Sequence, residues 1–510
     1  MEFISDIKNL MLAEMTMFLG IICLTILSFL AQNAKKRAFS IAIIFLIVAF
    51  IFCINLDTDT ISLAINGSFL ISKFTVFFKE IILLGTIFTI LLGNNFIKQT
   101  DFGVEFYMLL LSSALGGMVL VSSRDFITMF IGFEALSIPC YILSGLIKKR
   151  PQLVTLRYLI IGAIASAIML YGISFLYGLT GSIRFDTVFN IIKSPNIFNM
   201  AVFSGMLVIS GFCFKLATIP FYNWAPDIYD NAPTSISAFL STISKIATFG
   251  ILARLICEVF SHIWVLYLAI GLIALISMTI GNILALKELK IKKLIAYSSI
   301  AHASYILAGL ALGSPLSLSA MIFYLITYLF MNFTVWSAIE YLDNTTDFEI
   351  ETLKSLAYKK PFIAIVLISA FASLAGLPIF VGFFSKFYLF QAMAFSGFLL
   401  YPFLLFVLIN TLIALIYYLK IIKIIFEENN ENNDEKTDIF GNFSPIFKDK
   451  TLKIVMIVSF IFITFGGLYS SPIIEYSQKI SQSQLPPIIE YETIEGTYFD
   501  KPQKIPVSDK

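Results

Sequence analysis

The sequence predicts an all-α polytopic membrane protein of about fourteen transmembrane helices, and three observations carry that prediction. Hydrophobic residues make up 58% of the 510 positions and charged residues only 13%, where soluble globular domains carry about 25% charged residues. Apolar runs of bilayer-spanning length, roughly 20 residues, recur from one end of the chain to the other. Two of these runs are interrupted by the same pattern, Leu-Ala-x-(Ile/Leu)-Pro followed closely by an aromatic residue. The formal net charge of +2 gives no electrostatic reason to expect nucleic acid as a partner. The lipid bilayer is the expected surroundings.

Taken in order, the spans are expected at about 11–30, 38–55, 75–96, 104–122, 125–147, 153–177, 201–222, 233–258, 263–285, 293–312, 317–340, 361–395, 401–426 and 451–470. The first apolar run has no cleavage pattern after it and reads as a retained span. Loops after odd-numbered spans hold Lys35, Lys36, Arg37, Lys98, Lys148, Lys149, Arg150, the Lys287–Lys293 cluster, Lys354, Lys359, Lys360, Lys448 and Lys450. Those after even-numbered spans hold Lys73, Lys79, Arg124, Arg184 and Lys193. This bias places the odd side in the cytoplasm. An even number of spans then puts both termini on the non-cytoplasmic side of the cell (inner) membrane. Residues 427–450 are polar, acidic and Asn-rich and read as a solvated cytoplasmic loop with local disorder. Residues 471–510 are too polar to span and read as a tail.

The seventh span contains KLATIPFYNW and the twelfth SLAGLPIFVGF, with Pro220 and Pro378 in corresponding places. A proline inside a helix removes a backbone hydrogen bond. The two motifs lie five spans apart, and an odd offset turns one copy upside down relative to the other. Inverted repeats with breaks at matching positions point to a transporter's site. The five cysteines, Cys23, Cys53, Cys140, Cys213 and Cys257, lie in or beside apolar runs without a CxxC pair. They read as small core residues. The two histidines, His262 and His302, offer no haem or cluster-ligand spacing, so no cofactor is expected on this chain. Any electron chemistry is expected in other chains.

Five ionisable residues fall well inside spans. A charge at a helix centre in lipid costs about 2.5–3.5 kcal/mol on insertion scales, and such residues face the protein interior or a hydrated path. Glu134 is followed by Ser137 and Tyr141 on one helical face. It reads either as half of a structural ion pair or as a charge that tunes a lysine. Lys215 lies one turn before the Pro220 break, with apolar neighbours that argue against snorkelling to an interface. Burial disfavours an ammonium and a nearby carboxylate such as Glu134 favours it again. Moving that pair together or apart would switch the lysine between holding and releasing a proton. Lys245 shares a stripe with Ser237, Ser241 and Thr248, expected to face protein or water. His302, with Ser298 and Tyr305, reads as a hydrogen-bonded core residue or as a proton relay, which suits imidazole at neutral pH. Lys386 follows the Pro378 break by two turns, at a depth the break leaves open. No nucleophile–base set, phosphate loop or metal cluster competes with this row, and proton or cation movement is the chemistry it supports.

Four stretches carry a family resemblance: FIGFEALSIPCYILSGL around Glu134, GFCFKLATIPFYNWAPDIYDNAPTSISAFLSTISKIATF around Lys215 and Lys245, GNILALKELKIKKLIAYSSIAHASYILAGL around His302, and SLAGLPIFVGFFSKFYLF around Lys386. The chain resembles the antiporter-like membrane subunits of respiratory NADH-quinone oxidoreductase (complex I), most closely subunit N. The resemblance implies residues 1–100 as three leading spans and residues 101–260 and 261–426 as two inverted five-helix repeats, spans 4–8 and 9–13. It implies 427–450 as a loop outside the family pattern, 451–470 as the last span and 471–510 as the tail. It also implies broken helices at spans 7 and 12, Glu134 and Lys215 as a control pair, Lys245 as a central relay, His302 on the connecting path and Lys386 as a terminal proton site. The implied partners are neighbouring antiporter-like subunits and the rest of the complex. NADH or another donor, FMN, iron–sulfur clusters and a quinone would act in other subunits. The M-type carries glutamate where this chain has Lys386, and the L-type carries a long C-terminal extension with further spans, so both fit less well. A subunit of a multisubunit Na+/H+ antiporter or of a hydrogenase-linked membrane complex would use the same lysines. A scaffold without transport would not need them.

Overall fold

The computed structural model of the chain describes residues 10–30, 35–56, 58, 61–100, 102–146, 152–342, 348–397, 400–428 and 450–484. The first half contains α1 (Leu12–Leu30), α2 (Lys35–Ile54), a hairpin of β1 (Ser62–Ala64) and β2 (Phe69–Ile71), α3 (Lys73–Gln99), α4 (Gly103–Ser122), α5 (Phe126–Ser144), α6 (Gln152–Thr180), the short α7 (Phe185–Ile192), α8 (Phe198–Leu216), α9 (Trp224–Asn231), α10 (Thr234–Ser241) and α11 (Ile243–Arg254). The second contains α12 (Trp264–Lys287), α13 (Ile291–Leu310), α14 (Pro315–Leu342), α15 (Leu356–Lys359), α16 (Pro361–Ala375), α17 (Val381–Phe395), α18 (Tyr401–Phe426), α19 (Lys450–Leu468) and α20 (Ser470–Gln484). Among the described residues, 12 helical segments are long and apolar enough to cross a bilayer. α13, made more polar by Lys292, Lys293 and His302, and the pair α16–α17 complete the fourteen expected spans. The chain is a multi-pass membrane protein.

The breaks follow one stereochemical rule. α8 ends at Ala217, whose φ is 56°, and its last carbonyls are closed by Ala217 N–H to Phe214 O at 3.0 Å and Thr218 N–H to Cys213 O at 2.9 Å. α16 ends at Gly376, φ 84°, with Gly376 N–H to Ser373 O at 3.0 Å and Leu377 N–H to Ala372 O at 2.9 Å. Both are left-handed caps with the nested bonds of a Schellman ending. The proline that follows cannot continue a helix; Ile219–Pro220 is a cis peptide. The left-handed residue stands three before Pro220 but two before Pro378, so the two motifs break alike without being superimposable residue by residue. Span 7 resumes as α9, beyond the expected limit at 222. Span 8 is also divided, at Thr242, into α10 and α11, which neither proline nor glycine announces.

Burial orders the bundle. Residues 232–256 are buried throughout, and α14 nearly so, whereas α1 and α2 are largely exposed on their outer faces. The core therefore centres on α10, α11 and α14, with α3 against them. Apolar exposed residues such as Phe29, Ile131, Ile164, Leu272 and Leu412 form the outer surface that a bilayer would cover.

Three expectations need correction or bounding. Lys79 does not lie in a loop. It is buried in α3 and ion-paired with Glu14 of α1, Nζ to Oε1 at 2.7 Å, so the loops after even-numbered spans hold fewer cations than the sequence count assumed. The tail begins as a helix, α20, whose Gln478 Nε2 donates to Tyr388 Oη at 3.0 Å and whose Gln484 Nε2 donates to Glu258 Oε1 at 2.6 Å. Sparse apolar residues such as Ile480, buried to 2% exposure, seat it on the bundle. The expected disorder in the 427–450 loop falls on residues 429–449, which, with the tail from 485 onward, lie outside the described residues.

Candidate functional site

Each predicted lysine sits where helical backbone ends or is interrupted. Lys215 occupies the last turn of α8, at the carbonyl end of a half helix where a cation is favoured. Its Nζ lies 5.4 Å from the centre of the Phe133 ring and 5.8 Å from that of Tyr141. It is 1% exposed and has no hydrogen-bond partner among the described residues. Glu134, half-buried on α5, accepts a hydrogen bond from Ser166 Oγ of α6 and makes no ion pair with Lys215 among the described residues. Ser137 Oγ donates to Phe133 O at 2.5 Å.

Lys386 uses the other break. It projects from the second turn of α17 back to the end of α16, and Nζ donates to Leu374 O at 2.8 Å and Ala375 O at 3.0 Å. These are orphan carbonyls of a terminating helix. Two glycines make the approach feasible. A Cβ on Gly382 would stand 1.9 Å from Ser373 O, and one on Gly376 would press to 3.0 Å on Lys386 Cδ. The Lys386 ammonium also lies 5.5 Å over the Tyr305 ring.

Lys245 follows the Thr242 interruption by three residues and crosses to α13, where Nζ donates to Ser299 O at 2.8 Å and to Ser299 Oγ at 3.0 Å. The Ser237, Ser241 and Thr248 hydroxyls donate to Tyr229 O, Ala238 O and Ser244 O, and Ser241 Oγ also accepts from Trp336 Nε1 at 2.9 Å. That stripe is occupied by backbone and indole. His302 is one turn further along α13. Its Nδ1 bonds Tyr324 Oη at 2.9 Å and its Nε2 bonds Tyr418 Oη at 3.1 Å, while Tyr418 Oη also bonds Ser298 Oγ. Tyr305 stands edge-on to His302 at 5.9 Å and accepts from Asn282 Nδ2 at 3.1 Å. The fold thus brings Lys245, His302 and Lys386 around one polar cluster on α13 and keeps Glu134 and Lys215 together in a separate aromatic box.

Residues 123–414 match the family described as NADH:quinone oxidoreductase/Mrp antiporter, TM. The chain belongs to this family. It is 40% identical over 369 residues to NAD(P)H-quinone oxidoreductase subunit 2 of Gloeobacter violaceus, covering 70% of each chain. Among solved structures it is similar to a chain of respiratory complex I from Thermus thermophilus with bound aureothin, with TM-score 0.74, 27% identity and coverage of 91% of this chain and 98% of that one. It shares the fold of a chain of the Mrp complex from Dietzia sp., with TM-score 0.76, 19% identity and coverage of 93% and 99%.

The family match begins at the loop before α5 and contains both breaks and all five predicted residues. Glu14 and Lys79 lie outside it. Lys79 was counted with a loop and Glu14 was not singled out, and only the fold shows that they meet. Arg254 was also passed over as a span end. It is fully buried, holds Val121 O at 2.8 Å and Ser123 O at 2.6 Å, and grips both oxygens of Glu258 at 2.8 and 3.0 Å. An Arg and a Glu four residues apart on a helix could have signalled it. Tyr324 and Tyr418 gave no signal, because tyrosine in an apolar run is ordinary.

Proposed function

We propose that this antiporter-family chain is the N-type subunit of an NADH-quinone oxidoreductase in the cell inner membrane, with both termini on the non-cytoplasmic side, and that it translocates protons there. The observation that carries this reading is the run of buried bonds from Lys245 to Ser299, and from the adjacent Ser298 through Tyr418 to His302 and Tyr324. The bonds form two groups, one at Ser299 and one from Ser298 to Tyr324, and each member donates, accepts or changes protonation, so they supply proton stations without a cofactor. Electron transfer, with its flavin, iron–sulfur clusters and quinone, belongs to other subunits, and the energy it releases reorganises the charges here. Lys215 takes a proton from the cytoplasmic side under the control of Glu134. Lys245 receives it, and Lys386 forms the terminal site, where α16 carbonyls stabilise the ammonium.

The reading is tested in inside-out vesicles containing the whole complex. Glu134→Ala and Lys245→Ala are expected to cut proton uptake, and quinone reductase activity with it, at unchanged complex content. Full coupled activity in both variants overturns the assigned roles. Purification through this chain is expected to bring iron–sulfur subunits with it. Recovery of small antiporter subunits instead would favour the Na+/H+ antiporter reading.

A further inference from the structure

The second half of span 7 is tied by charge to the start of α13. α9 is an eight-residue helix between two non-helical links, each holding a proline, Pro220 before it and Pro233 after it. A proline has no backbone N–H and does not carry a helix onward, so α9 is joined to α8 and α10 by hinges rather than by continuous helix. Asn231 Nδ2 donates to Asp227 O at 2.8 Å and closes the last turn, so α9 holds its shape as a unit. One face, with Trp224, Ala225, Ile228 and Tyr229, is buried. The other carries Asp227 and Asp230. Asp227 Oδ1 stands 3.3 Å from Lys293 Nζ, and Asp230 Oδ2 stands 3.4 Å from Lys290 Nζ. Lys290 caps α13 and Lys293 lies in its first turn.

The buried face of α9 rests on the aromatic box of Lys215. Trp224 stacks on Tyr158 at 4.4 Å and packs on Phe214 at 5.4 Å, and its Nε1 donates to Phe214 O at 3.0 Å, near the end of α8. Tyr158 meets Tyr141 edge-on at 4.7 Å, and Tyr141 lies against the Lys215 ammonium. α9 is therefore a wall of the box, on the side proposed to face the cytoplasm. The grip on its outer face differs in kind from the packing beneath. The four charged side chains are 12–40% exposed, and ion pairs open to water in this way are weak and weaken further with salt.

We propose that α9 is a hinged cover on the Lys215 box, and that Asp227 and Asp230 are positioning residues that hold it down through Lys293 and Lys290. This rests on the proton-translocation reading and adds a control on when Lys215 meets the aqueous side. With both pairs made, Trp224 seals the box. When they part, the cover turns on its two links, and Trp224 leaves Tyr158 and the Phe214 carbonyl. Partly hydrated pairs suit a cover that opens and closes repeatedly, because the charges return to water when parted and release costs little.

The test measures amide hydrogen exchange of the α9 segment in the intact complex by mass spectrometry. The proteins compared are the wild type, the double variant Asp227→Asn/Asp230→Asn, the charge exchange Asp227→Lys with Lys293→Asp, and Lys423→Gln, which removes an exposed ion pair on α18. Exchange in α9 is expected to be about fivefold faster in the double variant, the equivalent of about 1 kcal/mol for two such pairs. The charge exchange is expected to restore protection, and Lys423→Gln to leave it unchanged. Salt at about 1 M is expected to speed exchange in the wild type and to add nothing in the double variant, because only charge pairs are screened. In vesicles the double variant is expected to take up fewer protons per quinone reduced, since an unlatched cover lets Lys215 return its proton to the side it came from. Exchange in α9 that ignores the asparagine substitutions, or that salt accelerates equally in both proteins, overturns the proposal. A loosened α9 with wild-type uptake per quinone overturns the positioning role and leaves the transport reading standing, which Glu134→Ala and Lys245→Ala test on their own. If those two variants pump normally, the transport reading falls and the proposal with it.

Discussion

Lys215→Met separates a residue kept for transport from one kept for folding, because the two roles predict opposite changes in stability. Taking an ammonium out of water costs several kcal/mol even after the surroundings relax. The contacts that offset this at Lys215 are few. The Phe133 and Tyr141 rings, at 5.4 and 5.8 Å, lie near the outer limit of about 6 Å, where a cation–π contact is worth about 0.5–2 kcal/mol. The end of α8 adds about 0.3–2 kcal/mol. No hydrogen bond is lost on removal, since Nζ makes none among the described residues. The ammonium is therefore a net burden of about 1–3 kcal/mol on the fold. Methionine has a similar length, tolerates irregular cores and makes favourable sulfur–ring contacts with both aromatics.

The expected outcome is a subunit that resists heat better and pumps worse. The assay heats the purified complex, measures how much of this chain remains soluble at each temperature, and compares proton uptake by vesicles at matched complex content. A lower midpoint in Lys215→Met, with uptake lost only in proportion to the complex lost, would refute the reasoning. It would make Lys215 a structural cation whose partner lies beyond the contacts named.

The same substitution at Lys386 is expected to act in the opposite direction on stability. Lys386→Met abandons the Leu374 and Ala375 carbonyls, and hydrogen bonds from a charged group are worth about 1.5–3 kcal/mol each. The heat-solubility midpoint should fall along with proton uptake. Gly382→Ala would force a methyl group to within 1.9 Å of Ser373 O. Overpacking typically costs about 1–3 kcal/mol, and the approach of α17 to the end of α16 must widen. Lower proton uptake and a lower midpoint are both expected, with Gly178→Ala, which meets nothing within 4 Å, as the silent control.

What could be read in the sequence was what lipid makes conspicuous. Apolar runs gave the spans, prolines gave the breaks at Pro220 and Pro378, and charges in apolar surroundings gave the residues of the candidate site. Less visible were features whose cause is a contact rather than a composition. The Thr242 interruption has no breaker residue, and Lys79 looks like a loop lysine until α1 brings Glu14 to it. The α20 helix has too few apolar residues to show a period, and it forms because α3, α14 and α17 receive it. The Tyr324 and Tyr418 bonds to His302 join residues on three different helices, a juxtaposition no local pattern encodes. The polar stripe Ser237–Ser241–Lys245–Thr248 was expected to face protein or water, and it faces protein. Its hydroxyls face carbonyls and an indole, and Lys245 itself reaches across to Ser299.

The two breaks hold their lysines differently. Both lysines beside them stand at the carbonyl end of a half helix, yet one is satisfied and the other is not. Lys386 has two carbonyl oxygens within 3.0 Å, and Lys215 has only ring faces. In the arrangement seen here the backbone holds the Lys386 ammonium and leaves that of Lys215 to ring faces. In the proposed relay, loading Lys215 requires a group other than the backbone to stabilise its ammonium. Glu134 is the group placed to do so, and here its carboxylate is turned to Ser166. The Ser166 hydroxyl is a weak, neutral partner compared with an ammonium. A modest shift of α5 against α6 could exchange one for the other. On the proposed reading, the work delivered by the rest of the complex is a choice of partner for Glu134.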